Sequence, residues 1–251
     1  MQGKGEVVVF IHGLALDSRM WDWQWERFSK KFKVIRYDVY GFGLSDRARD
    51  PHNPTEDLKG LLDSLKIEKV HLVGLGMGAN IALNFAAKYP NRVNKVVAAD
   101  ADLDGFTDFT PNYQTLFGEI TYLTSHQGWH DEEQRKWRLS PLMRLYAADD
   151  KTIINLSEIT SDYSGDHFIN ARINPDFGTP TTIELLAYIK APILVIVGEK
   201  DEESIHRICR VLVQKIPNVK KEVIEGAGHL SNMDKPKAFN KLVMRFLKQR
   251  P

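Results

Sequence analysis

Short apolar runs alternate along the chain with longer segments in which apolar residues recur at helical spacing. Runs of four to eight residues bounded by polar or glycine residues are typical of buried strands. Six such strands are predicted: Val7–Ile11, Lys33–Asp38, Val70–Val73, Val96–Ala99, Ile193–Val197 and Glu222–Ile224. Strands that alternate with helices favour a parallel sheet covered on both faces. We therefore expect an α/β three-layer sandwich with a mostly parallel sheet of about six strands.

The intervening segments carry helix signals. Four aromatic residues fall at i, i+4, i+7 and i+11, which is one face of a helix: Trp21, Trp25, Phe28 and Phe32. The segment Asn53-Pro54-Thr55-Glu56 offers an N-cap, a proline at the first helical position and a glutamate at the capping-box position. Further helices are predicted at about 77–89, 203–215 and 234–249.

The alternation stops between residues 103 and 180. This stretch is rich in aromatic residues and contains no convincing strand pattern: Phe106, Phe109, Tyr113, Phe117, Tyr122, Trp129, Trp137 and Tyr146. We interpret residues 103–180 as a helical cap inserted into a core made of residues 1–102 and 181–251. Most of these aromatic residues are expected to form the interior of the cap, while Trp129 and Trp137 are expected to contact substrate.

Composition narrows the function classes. The 251 residues are 43% hydrophobic and 27% charged with a net charge of +1, so nothing favours nucleic acid or a membrane as partner. The single cysteine, Cys209, excludes a disulfide framework and is expected to pack in the core. We find no spacing of His, Asp and Glu that suggests a metal and expect no cofactor. Residues 1–5 show no signal-peptide pattern, so we expect a soluble cytoplasmic protein. We expect it to be a monomer or a homodimer.

Glycine-rich or polar motifs follow the predicted strands. Because the carboxyl ends of parallel strands share one edge of a sheet, these motifs are expected to converge there. They are His12-Gly13-Leu14, Gly41-Phe42-Gly43-Leu44-Ser45-Asp46, Gly74-Leu75-Gly76-Met77-Gly78, Gly198-Glu199-Lys200-Asp201 and Gly226-Ala227-Gly228-His229. Each motif is weak alone, but five in order, each after a strand, are specific.

This order resembles the α/β-hydrolase superfamily, in its capped branch of small esterases, lactonases and carbon–carbon bond hydrolases. The resemblance implies that the third motif is the nucleophile elbow G-x-S-x-G, a sharp turn from strand to helix. It implies that Met77 and Leu14 supply the N–H groups of the oxyanion hole, with Gly13 beside the substrate. It also implies that Asp201 is the acid and His229 the base of a catalytic triad. The implied substrate is a small carboxylic ester, lactone or related acyl compound.

The departure from the family pattern is Gly76, which stands where the pattern requires serine. Glycine offers no side chain, so no acyl-enzyme can form there, and loss of a nucleophile costs on the order of a millionfold in turnover. Ser45 lies in a neighbouring loop, but its surroundings do not form an elbow. We therefore predict a folded protein whose site is shaped but disarmed. It is either an engineered inactive hydrolase or a natural variant that binds a ligand without turnover or uses His229 to activate water.

Several alternatives remain open. Asp102 follows the strand after the elbow helix and is the rival of Asp201 for the acid role, although Asp102 and Asp100 are more typical of loop caps. His12 is expected to bond loop backbone, and the cap histidines His126, His130 and His167 are expected to have no special role. A ligand-binding pseudoenzyme on the same fold is the main alternative function.

A dinucleotide-binding oxidoreductase is a weaker alternative. The segment from Gly74 to Ala79 fits the relaxed pattern G-x-G-x-x-G/A, and Asp100 lies at a suitable distance to bind a ribose. That pattern normally occupies the first βα unit rather than the third. It would also leave Asp201 and His229 unexplained.

Overall fold

A six-stranded, entirely parallel sheet forms the centre of the molecule in the computed structural model, which describes residues 1–127, 148–161 and 163–249. The strands are β1 (Val7–Ile11), β2 (Lys33–Tyr37), β3 (Val70–Leu75), β4 (Val93–Ala99), β5 (Ile193–Gly198) and β6 (Val219–Ile224). Their spatial order is β2-β1-β3-β4-β5-β6. The predicted α/β sandwich is confirmed, with all six strands where the apolar runs indicated them.

Two strands are longer than their apolar runs. β4 begins at Val93 and includes the buried residue Lys95. The burial of its ammonium group is compensated by hydrogen bonds that it donates to the carbonyl oxygens of Phe246 (2.9 Å) and Leu247 (3.0 Å). β6 is an edge strand whose early residues are half-buried or exposed, so its apolar pattern is confined to its end. Polar residues at the start of β4 and β6 therefore kept these parts of the strands out of the apolar runs by which the strands were predicted.

Helices connect and cover the strands. In chain order they are α1 (Asp22–Ser29), α2 (Pro54–Ser64), α3 (Met77–Lys88), α4 (Pro111–Gln127), α5 (Asp150–Thr160), α6 (Asp166–Ile169), α7 (Thr182–Leu185), α8 (Glu203–Lys215), α9 (Ser231–Asp234) and α10 (Pro236–Lys248). Connections between parallel strands are right-handed, so the direction of each step along the sheet decides the face. The connection from β1 to β2 runs in one direction along the sheet, and every later connection runs in the opposite direction. The helices α1 and α10 therefore cover one face of the sheet, while α2, α3 and α8 cover the other.

Local sequence explains how the helices start. The Asn53 side chain accepts hydrogen bonds from the N–H groups of Thr55 (3.0 Å) and Glu56 (3.2 Å), which caps α2 as predicted. The second half of the predicted capping box does not form, because the Glu56 carboxylate accepts the hydroxyl of Tyr89 instead.

The first predicted helix is divided in two. A 3₁₀ turn over Ser18–Trp21 precedes α1, and Trp21 therefore lies before the α-helix rather than within it. Its ring packs in the core, 5.1 Å from the ring of Phe10 on β1, and Phe28 packs against the same ring at 5.3 Å.

Between β4 and β5, the described residues form helices α4 to α7 and short turns. The division into a core of residues 1–102 and 181–251 and a cap of residues 103–180 stays a prediction. Within the part of the chain that the structure describes, no helix combines the length and apolar character that crossing a bilayer requires.

The sheet places two loops side by side. The first three strands pair in register, so that Ile11 at the end of β1 lies opposite Gly74 on β3. The chain leaves β1 towards β2 but leaves β3 in the opposite direction, towards β4. Such a switch point opens a crevice at the carboxyl ends of the two strands, which is where ligands bind in open α/β sheets. The loops after β1 and β3 line this crevice.

The start of α3 is pressed against β1 and β3 more closely than a side chain allows. A Cβ atom on Gly78 would lie 2.2 Å from the carbonyl oxygen of Ile11, and one on Gly74 would lie 2.1 Å from the carbonyl oxygen of Gly78. Real Cβ atoms essentially never come within 3.0 Å of such atoms. These two glycines therefore fix how closely the helix approaches the sheet.

We expect Gly78→Ala to lower the free energy of unfolding by at least about 2 kcal/mol, because backbone must move to admit the methyl group. The measurement is urea unfolding followed by circular dichroism. Gly60→Ala is the matched control, since Gly60 lies on α2 with nothing within 4 Å of an added Cβ. That variant is expected to gain up to about 1 kcal/mol from helix propensity. Equal stability of the two variants would contradict the close-packing argument.

Candidate active site

The turn at Gly76 joins β3 to α3 in a backbone conformation that favours glycine. Its φ of 54° and ψ of −120° lie outside the regions that other residues adopt easily. The Gly76 N–H donates to the carbonyl oxygen of Ala99 (3.0 Å), and its own carbonyl accepts the N–H of Asp102 (3.2 Å). The turn is therefore tied to the end of β4.

There is room for a side chain on this turn. A Cβ atom on Gly76 would lie 3.5 Å from His229 Nε2, 3.7 Å from Asp102 Oδ2 and 3.9 Å from Gly13 Cα, all ordinary van der Waals contacts. Residues from four distant parts of the chain therefore meet around the tip of the turn.

His229 and Asp201 are in contact. His229 Nδ1 lies 3.0 Å from Asp201 Oδ2 and 3.2 Å from Asp201 Oδ1, and both side chains are almost fully buried. Asp201 also accepts the backbone N–H of Glu202 at 2.7 Å, which orients the carboxylate at the end of β5. The imidazole is thus held by one nitrogen, with Nε2 directed towards Gly76.

Asp100 links the loops around this pair. Its Oδ1 accepts the N–H of Gly198 (2.8 Å), and its Oδ2 accepts both the N–H (3.3 Å) and the hydroxyl of Ser231. Burial, followed by the charge of Asp201, raises the pKa of this carboxyl well above its usual range. Because both oxygens bond the protein, Asp100 is unsuited to hold a ribose, which removes one of the two observations behind the dinucleotide alternative.

The pKa of His229 results from opposing effects. Burial of the ring is the largest single effect and lowers the pKa, but the charge and hydrogen bond of Asp201, together with the charges of Asp100 and Asp102, raise it more. The net result is a pKa of about 9, so the ring is an imidazolium at neutral pH. A cationic ring can donate a proton through Nε2 but cannot accept one.

Asp102 also lies close to Gly76, with Oδ2 3.7 Å from the position of an added Cβ. It is half-buried at the edge of the pocket, in the loop after β4. Desolvation raises the pKa of its carboxyl, the charge of His229 lowers it, and the charge of Asp201 raises it, with a net increase. Asp102 does not replace Asp201 on His229 Nδ1, so the predicted rivalry for that contact is decided in favour of Asp201.

His12 bonds loop backbone, as expected. Its Nδ1 donates to the carbonyl oxygen of Gly13 (2.9 Å), and its Nε2 accepts the N–H of Val39 (2.9 Å). Burial lowers the pKa of the ring, which keeps it neutral. This histidine therefore fixes the path of the segment that carries Leu14.

A cavity of about 390 Å³ opens beside Gly76. Leu14 and Met77 both line it, and its wall is mostly apolar. The lining residues are Leu14, Met77, Asn80, Asp102, Leu103, Asp104, Phe109, Tyr113, Phe117, Thr121, His167, Phe168, Asn174, Pro175 and Phe177. Phe109, Tyr113 and Phe117 stack in sequence with ring separations of 5.0 and 4.7 Å, so the aromatic-rich segment supplies one wall.

Several of these lining residues were not predicted from the sequence. Asn80, one turn into α3 from Met77, could have been found from helical spacing alone. His167 was expected to have no special role, yet it lines the cavity and stacks on Phe42 at 4.1 Å. Phe168 and Phe177 could not be separated from other aromatic residues by any local pattern.

Some predicted residues do not enter this site. Trp129 and Trp137, as well as His130, lie outside the described residues. The Ser45 hydroxyl donates to the carbonyl oxygen of Asp38 (2.6 Å) within its own loop, and Ser45 does not line the cavity. Cys209 is buried on α8, where burial raises the pKa of its thiol to about 11.

Among residues 1–127, 148–161 and 163–249, no group of three His, Cys, Asp or Glu side chains is arranged to hold a metal ion.

Comparison with known proteins identifies the family. A sequence profile described as the alpha/beta hydrolase fold matches residues 6–236. The chain belongs to the α/β-hydrolase fold family. The match spans β1 to the start of α10, and so includes every strand of the sheet.

The relatives of this family member cover nearly its whole length. It is 28% identical to a 2-hydroxy-6-oxononadienedioate/2-hydroxy-6-oxononatrienedioate hydrolase of Pseudomonas putida, over 98% of this chain and 89% of that protein. It is 25% identical to a protein named uncharacterized carboxylesterase nap from Bacillus subtilis strain 168, over 95% of this chain and 78% of that one. The enol-lactonase from Burkholderia xenovorans LB400 superposes with a TM-score of 0.82 at 24% identity, covering 98% of this chain and 93% of the other.

We expect the His229 ring to titrate with a pKa of about 9, because three carboxylates surround it. The measurement is imidazole ¹H–¹⁵N NMR, with the signal assigned by its loss in His229→Gln. Asp201→Asn should lower the ring pKa, since it removes the main charge that raises it. A His229 ring that titrates below pH 7 in the parent would contradict the charge arrangement.

The same shift makes stability depend on pH. A pKa raised on folding stabilises the folded state fully below the ordinary value of 6.5, and the stabilisation is lost as the pH rises through about 9. The parent should therefore lose unfolding free energy between pH 6.5 and 9 relative to His229→Gln. Parallel stability curves for the two proteins would contradict this linkage.

Proposed function

We propose that this chain binds a small carboxylic ester, lactone or related acyl compound in the cavity beside Gly76. In this proposal the site retains the histidine, the acid and the oxyanion donors of a serine hydrolase but lacks the nucleophile. Asp201 and His229 are the acid and the base, and Met77 and Leu14 donate N–H groups to the carbonyl oxygen.

The position of Met77 supports its role. It is the first residue of α3, where backbone N–H groups have no partner within the helix and the helix dipole favours negative charge. Leu14 lies on the neighbouring loop after β1 and lines the same cavity. N–H donors fixed before the reaction favour the charge that develops on a carbonyl oxygen, by about 3–4 kcal/mol for each donor.

The cavity supports an acyl ligand of modest size. Its volume of about 390 Å³ lies at the lower end of the range of small-molecule sites, and its wall is mainly aromatic and aliphatic. Relatives named as a carboxylesterase and an enol-lactonase support the same class of ligand.

Gly76 separates binding from the serine reaction. With no hydroxyl on the turn, the chain cannot form an acyl-enzyme, although the surrounding groups remain in place. The observation that carries the proposal is the 3.5 Å separation between His229 Nε2 and the position of a Cβ on Gly76. That spacing leaves a serine hydroxyl within hydrogen-bond reach of the imidazole.

Gly76→Ser is therefore expected to create hydrolysis of p-nitrophenyl acetate and butyrate, at least about a hundredfold above the parent. Gly76→Ala is the matched control, because it adds the same Cβ in the same contacts without a hydroxyl. Turnover by Gly76→Ser should require His229 and should rise with pH towards about 9, since only the neutral ring accepts the serine proton. A folded Gly76→Ser that hydrolyses no faster than Gly76→Ala would count against a hydrolase site.

Both substitutions should also cost stability. A non-glycine residue at φ 54° and ψ −120° is strained by about 1–3 kcal/mol, so the two variants should unfold at similarly lower urea concentrations than the parent. A Gly76→Ser variant as stable as the parent would contradict the conformation of the turn.

A ligand-binding protein without turnover is the second candidate function, and Gly76 itself favours it. On this hypothesis, calorimetry with non-hydrolysable acyl analogues gives tight binding, and introducing serine gives no turnover. Hydrolysis by Gly76→Ser would decide for the hydrolase scaffold.

A further inference from the structure

Asp102 places a second carboxylate at the tip of the Gly76 turn, beyond the Asp201–His229 pair. The Asp102 N–H donates to the Gly76 carbonyl oxygen at 3.2 Å, so the loop after β4 is attached to the turn itself. Asp102 Oδ2 lies 3.7 Å from the position of a Cβ on Gly76. His229 Nε2 faces the same position at 3.5 Å from a different loop.

With glycine at position 76, a water molecule can take the place that a serine hydroxyl would occupy, beyond the Cβ position. Because His229 Nε2 and Asp102 Oδ2 lie only 3.5 and 3.7 Å from the Cβ position, each is within hydrogen-bond reach of an oxygen placed about one bond length beyond it. A serine side chain would take this space, and glycine leaves it open to solvent from the cavity. Leu14 and Met77, whose N–H groups are the proposed oxyanion donors, line the cavity together with Asp102.

We propose that Asp102 is a catalytic base that activates a water molecule beside Gly76 for direct attack on the bound acyl compound, with His229 as the acid for the leaving group. This inference rests on the proposed function, because it uses the same cavity and the same oxyanion donors. It adds a reaction that needs no covalent intermediate.

The step balances with water as the only co-reactant. The water oxygen bonds to the acyl carbon while its proton passes to an Asp102 carboxylate oxygen. The resulting oxyanion accepts hydrogen bonds from the Met77 and Leu14 N–H groups. When the tetrahedral intermediate collapses, the carbon–oxygen bond of the ester or lactone breaks, and the departing alkoxide takes the proton from His229 Nε2. The proton that Asp102 took from water then passes to His229 and restores its charge. The products are one acid and one alcohol from an ester, or one hydroxy acid from a lactone.

The charges of the surrounding groups agree with these roles. Three acidic side chains act on His229: Asp201, in the loop after β5, and Asp100 and Asp102, in the loop after β4. With a pKa of about 9, the His229 ring carries a proton at neutral pH. Desolvation raises the pKa of the Asp102 carboxyl, which makes its carboxylate a stronger base than an ordinary aspartate. Asp104 and His167 line the cavity as well. Environments that set the pKa values of two neighbouring groups apart are typical of an acid and a base in one site.

The test compares the parent with Asp102→Asn, which keeps the shape of the side chain and removes its basicity. Phenyl acetate and p-nitrophenyl acetate are the probes, with the buffer rate subtracted. The parent should hydrolyse them slowly and without an initial burst, and Asp102→Asn should lower kcat/KM at least tenfold. Asp46→Asn is the matched control for loss of a charge, because Asp46 is exposed and lies outside the cavity lining; it should leave the rate unchanged.

The pH profile gives a second readout that needs no Asp102 variant. The water reaction uses the imidazolium, so the parent rate should fall above about pH 9. The serine reaction of Gly76→Ser uses the neutral ring, so its rate should rise over the same range. Equal profiles for the two proteins would overturn the proposal, as would equal rates for the parent and Asp102→Asn.

The remaining outcomes separate this inference from the proposed function. A parent no faster than buffer beside an active Gly76→Ser would overturn the role of Asp102 and leave the hydrolase site standing. A folded Gly76→Ser and a parent that are both inactive would overturn both. Incorporation of ¹⁸O from labelled water into the Asp102 carboxyl during turnover would identify Asp102 as a nucleophile and overturn the water route.

Discussion

The close approach of α3 to the first and third strands is the constraint on which the site depends. Because Gly74 and Gly78 carry no side chains, the helix begins directly over the ends of β1 and β3, and the turn between strand and helix is sharp. That sharpness is expressed in the φ of 54° at Gly76. It also brings the first N–H group of the helix, that of Met77, beside the loop that carries Leu14. A side chain at Gly78 would push α3 away from β1 and would move Gly76 and the Met77 N–H group out of their present positions.

Three carboxylates at the ends of β4 and β5 set the electrostatic character of the site. Asp100 bonds the backbone of one loop and the serine of another, Asp201 holds His229 by Nδ1, and Asp102 faces the cavity. Their summed effect outweighs the burial of the His229 ring and keeps it cationic at neutral pH. An imidazole of high pKa is poorly suited to deprotonate a hydroxyl at neutral pH but well suited to protonate a leaving group. In the proposed function, a serine at position 76 would be activated only weakly by this histidine at neutral pH, whereas proton donation to a leaving group would suit it.

Much of the fold could be predicted from the sequence, because buried parallel strands are continuous apolar runs bounded by glycine. β1, β3 and β5 were predicted within one or two residues. The starts of β4 and β6 were missed, since Lys95 is buried by bonds to the distant end of α10 and β6 lies at an edge. No local pattern encodes either circumstance. Trp21 was assigned to a helix because 3₁₀ and α turns share the spacing of one apolar face over so short a distance.

The site divides in the same way. The proximity of Gly76, His229 and Asp201 follows from topology, since the ends of parallel strands meet at one edge, and the sequence motifs mark those ends. The choice between Asp102 and Asp201 required coordinates, because both follow strands and only the direction of each side chain shows which nitrogen of His229 it faces. Lining residues such as His167 and Phe177 likewise depend on how the segment between β4 and β5 folds beside the ends of the strands. Sequence order thus determines which loops meet, while side-chain direction determines what each carboxylate does there.

The strain of the turn connects stability to chemistry. A serine on this turn would have to adopt a conformation that costs about 1–3 kcal/mol, and its hydroxyl would occupy the space between His229 and Asp102. Glycine removes the strain and opens the same space to water. In the proposals made for this site, the forms with serine and with glycine are therefore alternatives rather than a complete and a damaged form: one would hold a nucleophile fixed by the backbone, and the other a water molecule near Asp102 and His229. The geometry around Gly76 is compatible with both, because the proposed oxyanion donors belong to the backbone and do not depend on the residue at position 76.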